Sequence, residues 1–389
     1  KIYNKNKLSK YSVRGIFMDV NYKPNELRPG MVLAQDVITL QGQRIAKEGD
    51  VLNNALISKI TFYSIASVKI KSEETEKTEP PVPPAPKPKT GSETVSYTQK
   101  LKRTEVYQTF QIDYSRNIAM MRGLFTRIIK LDHPKVDFDS ILKDVSSLFA
   151  QKTTLDLFEI LQTMTSLDDA VYVHSLNVAL IARGIGRWMN LDSDTLSIIT
   201  LAGYFHDIGK LAIPPEILNK QGKLTDEEFE IQKTHALEGK KLLSKVPNID
   251  SRILTAALQH HERNDGSGYP RGLSGDEIDP IASVIAVADV YDAMTTARVY
   301  RGPLCAFQVI AAFEKDGIQK YSPMVVMTFL SRLASAYQNS RVILNDGRRC
   351  TVVYIHHHNN TMSRPIVQFD DGSIIDLMTE PSLSIKAII

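Results

Sequence analysis

Cysteine is nearly missing from this chain. Only Cys305 and Cys350 occur, too few for a disulfide framework or a zinc ribbon. A reducing cytoplasm is the natural compartment for such a sequence. Long hydrophobic runs are missing too. The longest candidate, "IASVIAVADV", is well short of the roughly 18 to 20 residues of a membrane span and carries Asp289. Charge of one sign is also lacking. The 47 Lys and Arg residues nearly balance the 44 Asp and Glu residues, leaving +3. This points away from DNA binding and from a polybasic membrane anchor. The N-terminus has no signal-peptide pattern, and no internal repeat is visible.

What is present is enough apolar material for one sizeable core and one or two small satellites: 389 residues, 43% hydrophobic. Residues 1–72 read as a small β-rich module, because "LRPGMVLAQDVITLQGQRIAKEGDVL" alternates β-favouring runs with turn signals. Residues 73–96 are rich in Pro, charge and Ser/Thr and read as an extended linker. Residues 97–338 carry helical spacing throughout, beginning with a leading helix over 97–132. That helix either connects or dimerises, or packs on its own domain. "LTDEEFEIQK" opens on a Thr225-to-Glu228 capping box. Residues 339–389 switch to period two, and Asp-Gly turns within "RVILNDGRRCTVVYI" and "RPIVQFDDGSIIDL" predict two hairpins. The fold class expected is mainly α, with small β modules at both ends.

Five of the nine histidines, His174, His206, His235, His260 and His261, fall in the helical block. One histidine alone is usually a cap or a satisfied core residue. Five, with a His206-Asp207 pair and a His260-His261 pair, predict metal ligation. Adjacent helical residues diverge by about 100°, so a His-His pair suits a cluster of ions better than a single ion. Asp207 is able to bridge. Asp289 lies in an apolar helix, where a carboxylate is costly unless paired or on a metal. Asp292, one turn on, reads as a support for a ligand or as a cap. Lys210 shares a face with His206 and Asp207 if the helix continues past Gly209, and there it suits a phosphate oxygen. Arg298 and Arg301 suit a phosphate clamp or surface ion pairs. His356, His357 and His358 have no obvious carboxylate opposite them and read as non-metal.

"YFHDIGK" resembles the HD superfamily of metal-dependent phosphohydrolases, and "HHERNDGSGYP" resembles the fuller HD-GYP signature. "ADVYDAMTTARVYR" is similar to the Asp-bearing helix of the same family. The likeness covers roughly residues 150–337 and implies an HD-type helical bundle. It implies hydrolysis of cyclic di-GMP, a bacterial second messenger, or of cyclic GMP-AMP. The ligands it implies are His174, His206, Asp207, His235, His260, His261 and Asp289. Lys210, Arg298 and Arg301 are then the contacts to substrate phosphate, and Gly268 and Tyr269 belong to a loop that forms a lip of the site. Glu262 is expected to orient a liganding histidine. The resemblance further implies that Asp207 and Lys210 serve catalysis and that a hydroxide bridging the ions would attack phosphorus. Some members carry a Glu four residues before the first histidine that helps hold a third ion. Here that position is Ala170, and Asp168 and Asp169 face away, so two divalent ions are expected. Iron or manganese comes first, with zinc, nickel or cobalt as alternatives. Missing that Glu, the site is expected to release mainly pGpG. A general nucleotidase and a catalytically weak cyclic-dinucleotide receptor are the competing readings. A second copy of the chain and a regulatory protein are the partners left open.

Overall fold

The structure is a computed structural model. It describes residues 18–22, 26–38, 44–53, 56–57, 60, 65, 67–72, 104–149, 153–162, 164, 170–220, 222–296, 304–357 and 361–389. The chain divides into two compact units, Lys1–Thr94 and Val95–Ile389. The expected linker, Asp168, Asp169, Arg298, Arg301 and His358 lie outside the described residues.

In the first unit, β1 (Met18–Tyr22) pairs antiparallel with β4 (Val68–Ser72), and β2 (Val37–Ile38) pairs antiparallel with β3 (Arg44–Ala46). Leu33, Leu52, Ile60, Val68 and Ile70 are buried together. This is the β-rich module read from the sequence.

The second unit begins with α1 (Glu105–Lys130), whose N-terminus is capped by Thr104 accepting the Tyr107 N–H. Phe110, Tyr114, Ile118, Met121, Phe125 and Ile128 recur at three- and four-residue spacing and are buried. Next come α2 (Phe138–Ser147), α3 (Thr154–Leu161), α4 (Ala170–Trp188) and α5 (Ser193–Phe205). Asp137, Thr153 and Asp192 cap α2, α3 and α5 through their side chains. A 3-10 turn over Ile208–Ala212 leads to α6 (Pro215–Leu218), α7 (Asp226–Lys233), α8 (His235–Leu243) and α9 (Ser251–Gln259). The capping box expected at Thr225 and Glu228 is formed in both directions.

Pro280 occupies the first turn of α10 (Pro280–Thr295), where its missing N–H costs nothing. The block closes with α11 (Ala306–Ala312), α12 (Ile318–Lys320) and α13 (Pro323–Ala336). α4 and α10 are buried along most of their length and form the centre of the bundle, where each buried Leu, Ile or Val contributes about 1.5–3 kcal/mol.

The C-terminal sheet runs β8-β7-β6-β5-β9, all antiparallel: β5 (Arg341–Leu344), β6 (Arg349–Tyr354), β7 (Ile366–Phe369), β8 (Ile374–Asp376) and β9 (Ile385–Ile388). Both hairpins appear where the Asp-Gly pairs predict them, with Gly347 at φ +90° and Gly372 at φ +86°. This sheet belongs to the same compact unit as the helices. Glu314 accepts hydrogen bonds from the backbone and hydroxyl of Ser363, tying the helical block to the strands.

Candidate metal centre

Six elements converge on one buried point. His174 comes from α4. His206 ends α5, and Asp207 opens the 3-10 turn. His235 begins α8, His260 and His261 follow α9, and Asp289 lies in α10. His206, Asp207, His235, His260 and Asp289 are all buried.

The ligand atoms fall into two groups. Asp207, His235, His260 and His261 form one; His174, His206 and Asp207 form the other. Within each group the donor atoms lie within 4.8 Å of one another, and Asp207 is common to both. Asp207 is the one residue that the two groups share. Asp289 stands at the edge, with Oδ1 3.0 Å from His174 Nε2 and Oδ2 3.9 Å from His261 Nδ1.

Ring orientation is fixed from behind. His206 Nδ1 lies 2.8 Å from the Gly203 carbonyl, His235 Nδ1 2.7 Å from that of Gln232, and His260 Nδ1 2.9 Å from that of Ala257. A carbonyl only accepts, so each Nδ1 carries the hydrogen and each Nε2 keeps its lone pair. The His235 and His260 Nε2 atoms lie 3.3 Å apart, facing Asp207 Oδ1 at 3.4 and 3.7 Å. His174 Nδ1 is held instead by Asp292 Oδ2 at 2.7 Å. Asp292 is therefore the support that its spacing suggested.

Behind Asp292 lies a relay that the sequence reading missed. Asn177 Nδ2 donates to Asp292 Oδ1 at 2.8 Å, and the Tyr114 hydroxyl donates to Asn177 Oδ1 at 2.6 Å. The signal was there: an Asn inside the apolar run "VHSLNVALIA" needs a buried partner. The relay also ties α1 to the centre, so the leading helix packs on its own domain.

Electrostatics suit a cation. Burial opposes charge on His174, but hydrogen bonds to Asp289 and Asp292 outweigh it and push the ring up to about 10. Burial pushes His235 down to about 3 and lowers His260 and His261, keeping these rings in the neutral form that ligates metal. Burial works against the Asp207 carboxylate, yet Lys210 and His206 hold it well below the usual range. Burial likewise opposes charge on Asp289, and His174 overcomes it.

Fit to metal rests on two buried atoms. His206 Nε2 and Asp207 Oδ1 make no hydrogen bond among the described residues. A buried donor or acceptor left in this way costs about 1–3 kcal/mol unless an ion or water satisfies it. Both belong to the donor groups, so the residues fit divalent ions.

Lys210 reaches Asp207 Oδ2, its ammonium within hydrogen-bonding contact. The helix does not continue to it; three residues per turn in the 3-10 segment bring Asp207 and Lys210 onto one side instead. Gly209 lets α8 pack against this turn. A Cβ there would sit 2.0 Å from the His235 carbonyl oxygen and 2.4 Å from Gly239 N. The bare backbone lets α8 close on the turn and brings His235 to Asp207.

Glu262 corrects an expectation. It orients no histidine. Its carboxylate accepts the N–H groups of Arg271 at 2.8 Å and Leu273 at 2.9 Å, buckling the loop shut behind Pro270. The Tyr269 N–H on the His261 carbonyl at 3.2 Å holds the same end of the Asp265-to-Pro270 loop, and the Gly266 N–H on the Arg263 carbonyl at 2.8 Å holds the other. Gly268 is packed so closely that a Cβ would meet Arg263 N at 2.4 Å, whereas Gly266 takes φ +78°. Tyr269 stacks on His261 with centroids 4.7 Å apart. The loop therefore packs against the His261 side of the centre.

Residues 140–325 match the family model described as HD domain. The chain is 34% identical over 213 residues to the cyclic di-GMP phosphodiesterase PA4108 of Pseudomonas aeruginosa, covering 54% of this chain and 50% of that protein. It is 40% identical over 182 residues to a cyclic di-GMP phosphodiesterase of Thermotoga maritima, covering 45% and 49%. It is 38% identical over 167 residues to the 3'3'-cGAMP-specific phosphodiesterase 1 of Vibrio cholerae, covering 42% and 38%. The chain thus spans about half the length, or less, of these curated relatives. Among solved structures, Bd1817, a HDG"Y"P protein from Bdellovibrio bacteriovorus, aligns over 81% of this chain and 99% of its own. Its TM-score is 0.51 at 15% identity, a likeness of fold. With the His-Asp pair, the double histidine and the Gly-Tyr-Pro loop joined at one centre, residues 140–325 form an HD domain that carries the HD-GYP signature.

Proposed function

We propose that the protein is a metal-dependent phosphodiesterase that hydrolyses cyclic di-GMP, mainly to pGpG. The observation that carries this is the pair of donor groups sharing Asp207. His174, His206 and Asp207 would hold one ion; Asp207, His235, His260 and His261 the other, with Asp289 completing the edge. Iron and manganese suit this mixed imidazole and carboxylate set, with zinc, nickel and cobalt as alternatives. Such ions, when bound, supply polarisation of phosphate oxygens and activation of water.

The chain's own residues do the rest. Lys210, within reach of Asp207, is placed to neutralise charge on a phosphate oxygen. Arg298 and Arg301 are proposed as the phosphate clamp. Gly268 and Tyr269 shape the mouth. Water adds to phosphorus and the P–O3′ bond breaks, leaving a 5′-phosphate and a 3′-hydroxyl, which is pGpG. A second cleavage requires the site to rebind a product with an added terminal phosphate charge. Ala170, at the start of α4 one turn before His174, offers no oxygen for a further ion. The name of the Vibrio relative favours cyclic GMP-AMP as a second reading of the substrate. No described helix is long and apolar enough to cross a membrane, and Cys305 and Cys350 are free thiols. A bacterial cytoplasm is the proposed location.

Chromatography of a long time course with iron- or manganese-loaded protein tests this. The expected result is cyclic di-GMP converted to accumulating pGpG. Binding without turnover would instead make the protein a receptor. GMP formed as fast as pGpG would overturn the argument from Ala170. Ala170→Glu sharpens it: metal analysis should show an added ion in that variant.

A further inference from the structure

α7 is an unusual place for a phenylalanine. The helix reads "DEEFEIQK" and buries none of its residues. Phe229 is 44% exposed, so it is no core residue. Its ring meets Tyr269 edge-on, with centroids 6.4 Å apart at 80°. The Lys233 ammonium sits in the corner between them, 4.8 Å from the Phe229 centroid and 5.6 Å from that of Tyr269. Glu230 Oε1 accepts from the same ammonium at 2.6 Å. Tyr269 in turn lies 4.7 Å from His261 and 6.3 Å from His235, centroid to centroid. A continuous path of rings therefore leads from the metal centre outward to α7.

We propose that Phe229, Tyr269 and Lys233 form a purine subsite beside the centre, with a preference for guanine. This rests on the cyclic-dinucleotide reading above. A nucleotide phosphate held at the centre carries its base one sugar away, and Tyr269 and then Phe229 follow outward from His261, at 4.7 and 6.4 Å between centroids. An exposed aromatic ring gives a base a stacking face, and stacking tolerates any base. Selectivity comes from Lys233. Guanine presents two acceptors, O6 and N7, to a single cation, whereas adenine presents N7 beside the N6 donor. The ammonium already lies between the two rings, with Glu230 as its partner in the free protein. Exchange of that exposed partner for a guanine edge costs little, because an ion pair in water contributes little.

The test uses bis-phosphorothioate analogues of cyclic di-GMP and cyclic di-AMP, which resist hydrolysis, titrated calorimetrically into metal-loaded full-length protein. Wild type should favour the guanine analogue. Phe229→Ala should weaken both by about 10-fold, and Phe229→Trp should restore them. Lys233→Met should bring the two affinities close to parity. Metal content should stay at the wild-type level in all three variants. Equal affinities of Phe229→Ala and wild type overturn the stacking role, and an unchanged guanine preference in Lys233→Met overturns the selectivity. Turnover of native cyclic di-GMP, measured alongside, separates the two readings. Wild type that binds without turnover, with Phe229→Ala weakened, sinks the phosphodiesterase and keeps the subsite. Turnover with no effect of either residue sinks the subsite alone, and no binding of either analogue overturns both.

Discussion

His260 and His261 are neighbours at the end of α9, and His356 and His357 are neighbours just past β6. Both pairs have a carboxylate close by. At the first pair, imidazoles from α4, α5, α8 and α9 converge, and four of them are anchored at Nδ1 with Nε2 turned inward. At the second, His356 Nε2 is taken up by Asp376 Oδ1 at 3.2 Å, and His357 is exposed. The absence of a carboxylate opposite His356, expected from sequence, is therefore corrected: Asp376 on β8 supplies one. Even so, neither residue is in either of the donor groups found among the described residues. A histidine becomes a candidate ligand when a fixed acceptor spends one nitrogen and the fold aims the other at more donors. Density of histidine along the chain is a weaker signal.

The comparison breaks most sharply at Asp207. As the residue common to both donor groups, its loss should remove both ions. Asp207→Ala is expected to reduce bound metal and turnover together to background, read by elemental analysis and a chromatographic assay. Retention of full metal would place the bridge elsewhere. Gly209→Ala attacks convergence rather than ligation. A methyl group 2.0 Å from a backbone oxygen forces α8 off the turn, so stability should fall by about 1–3 kcal/mol and metal retention should fall with it. Thermal melts with and without metal would read both effects. Asp292→Ala attacks anchoring. Removing the acceptor behind His174 should weaken metal affinity about 10- to 100-fold while the fold persists. Competition with a metal chelator would measure it, and an unchanged affinity would show that Nδ1 anchoring is not needed at His174.

These variants also mark how far the sequence could be read. The helical block and the histidines and aspartates that converge in it were legible because such residue types at motif spacing are rare, and the terminal hairpins because Asp-Gly turns need φ > 0. Asp292 was legible as one helical turn from Asp289. The backbone acceptors of Gly203, Gln232 and Ala257 were not, since every residue has a carbonyl and only tertiary structure selects which one meets a ring. Glu262 was misread for a related reason. Next to two histidines it looked like their partner, but the chain doubles back and presents the N–H groups of Arg271 and Leu273 to it first. Gly209 could be seen as a break in the helix, whereas its close approach to α8 required knowing where His235 would arrive.

The smallest effect is expected at the second histidine pair. His356 keeps about a fifth of its side chain exposed and Asp376 about a third, at 20% and 32%. A contact between two side chains that both keep some exposure is worth about 0–1 kcal/mol, and Asp376 Oδ1 already accepts the Met378 N–H at 2.9 Å. His356→Ala therefore leaves Asp376 with a partner, in contrast to Asp292→Ala, which leaves His174 Nδ1 without its acceptor. The substitution also removes an edge-on contact with Tyr354, whose ring is itself exposed. Stability should change by less than about 1 kcal/mol, and bound metal and turnover should not change. Denaturant melts beside elemental analysis on one preparation would decide it. A drop in metal content for His356→Ala would show that the terminal sheet holds an ion of its own, and that a single carboxylate suffices without the convergence of several donors.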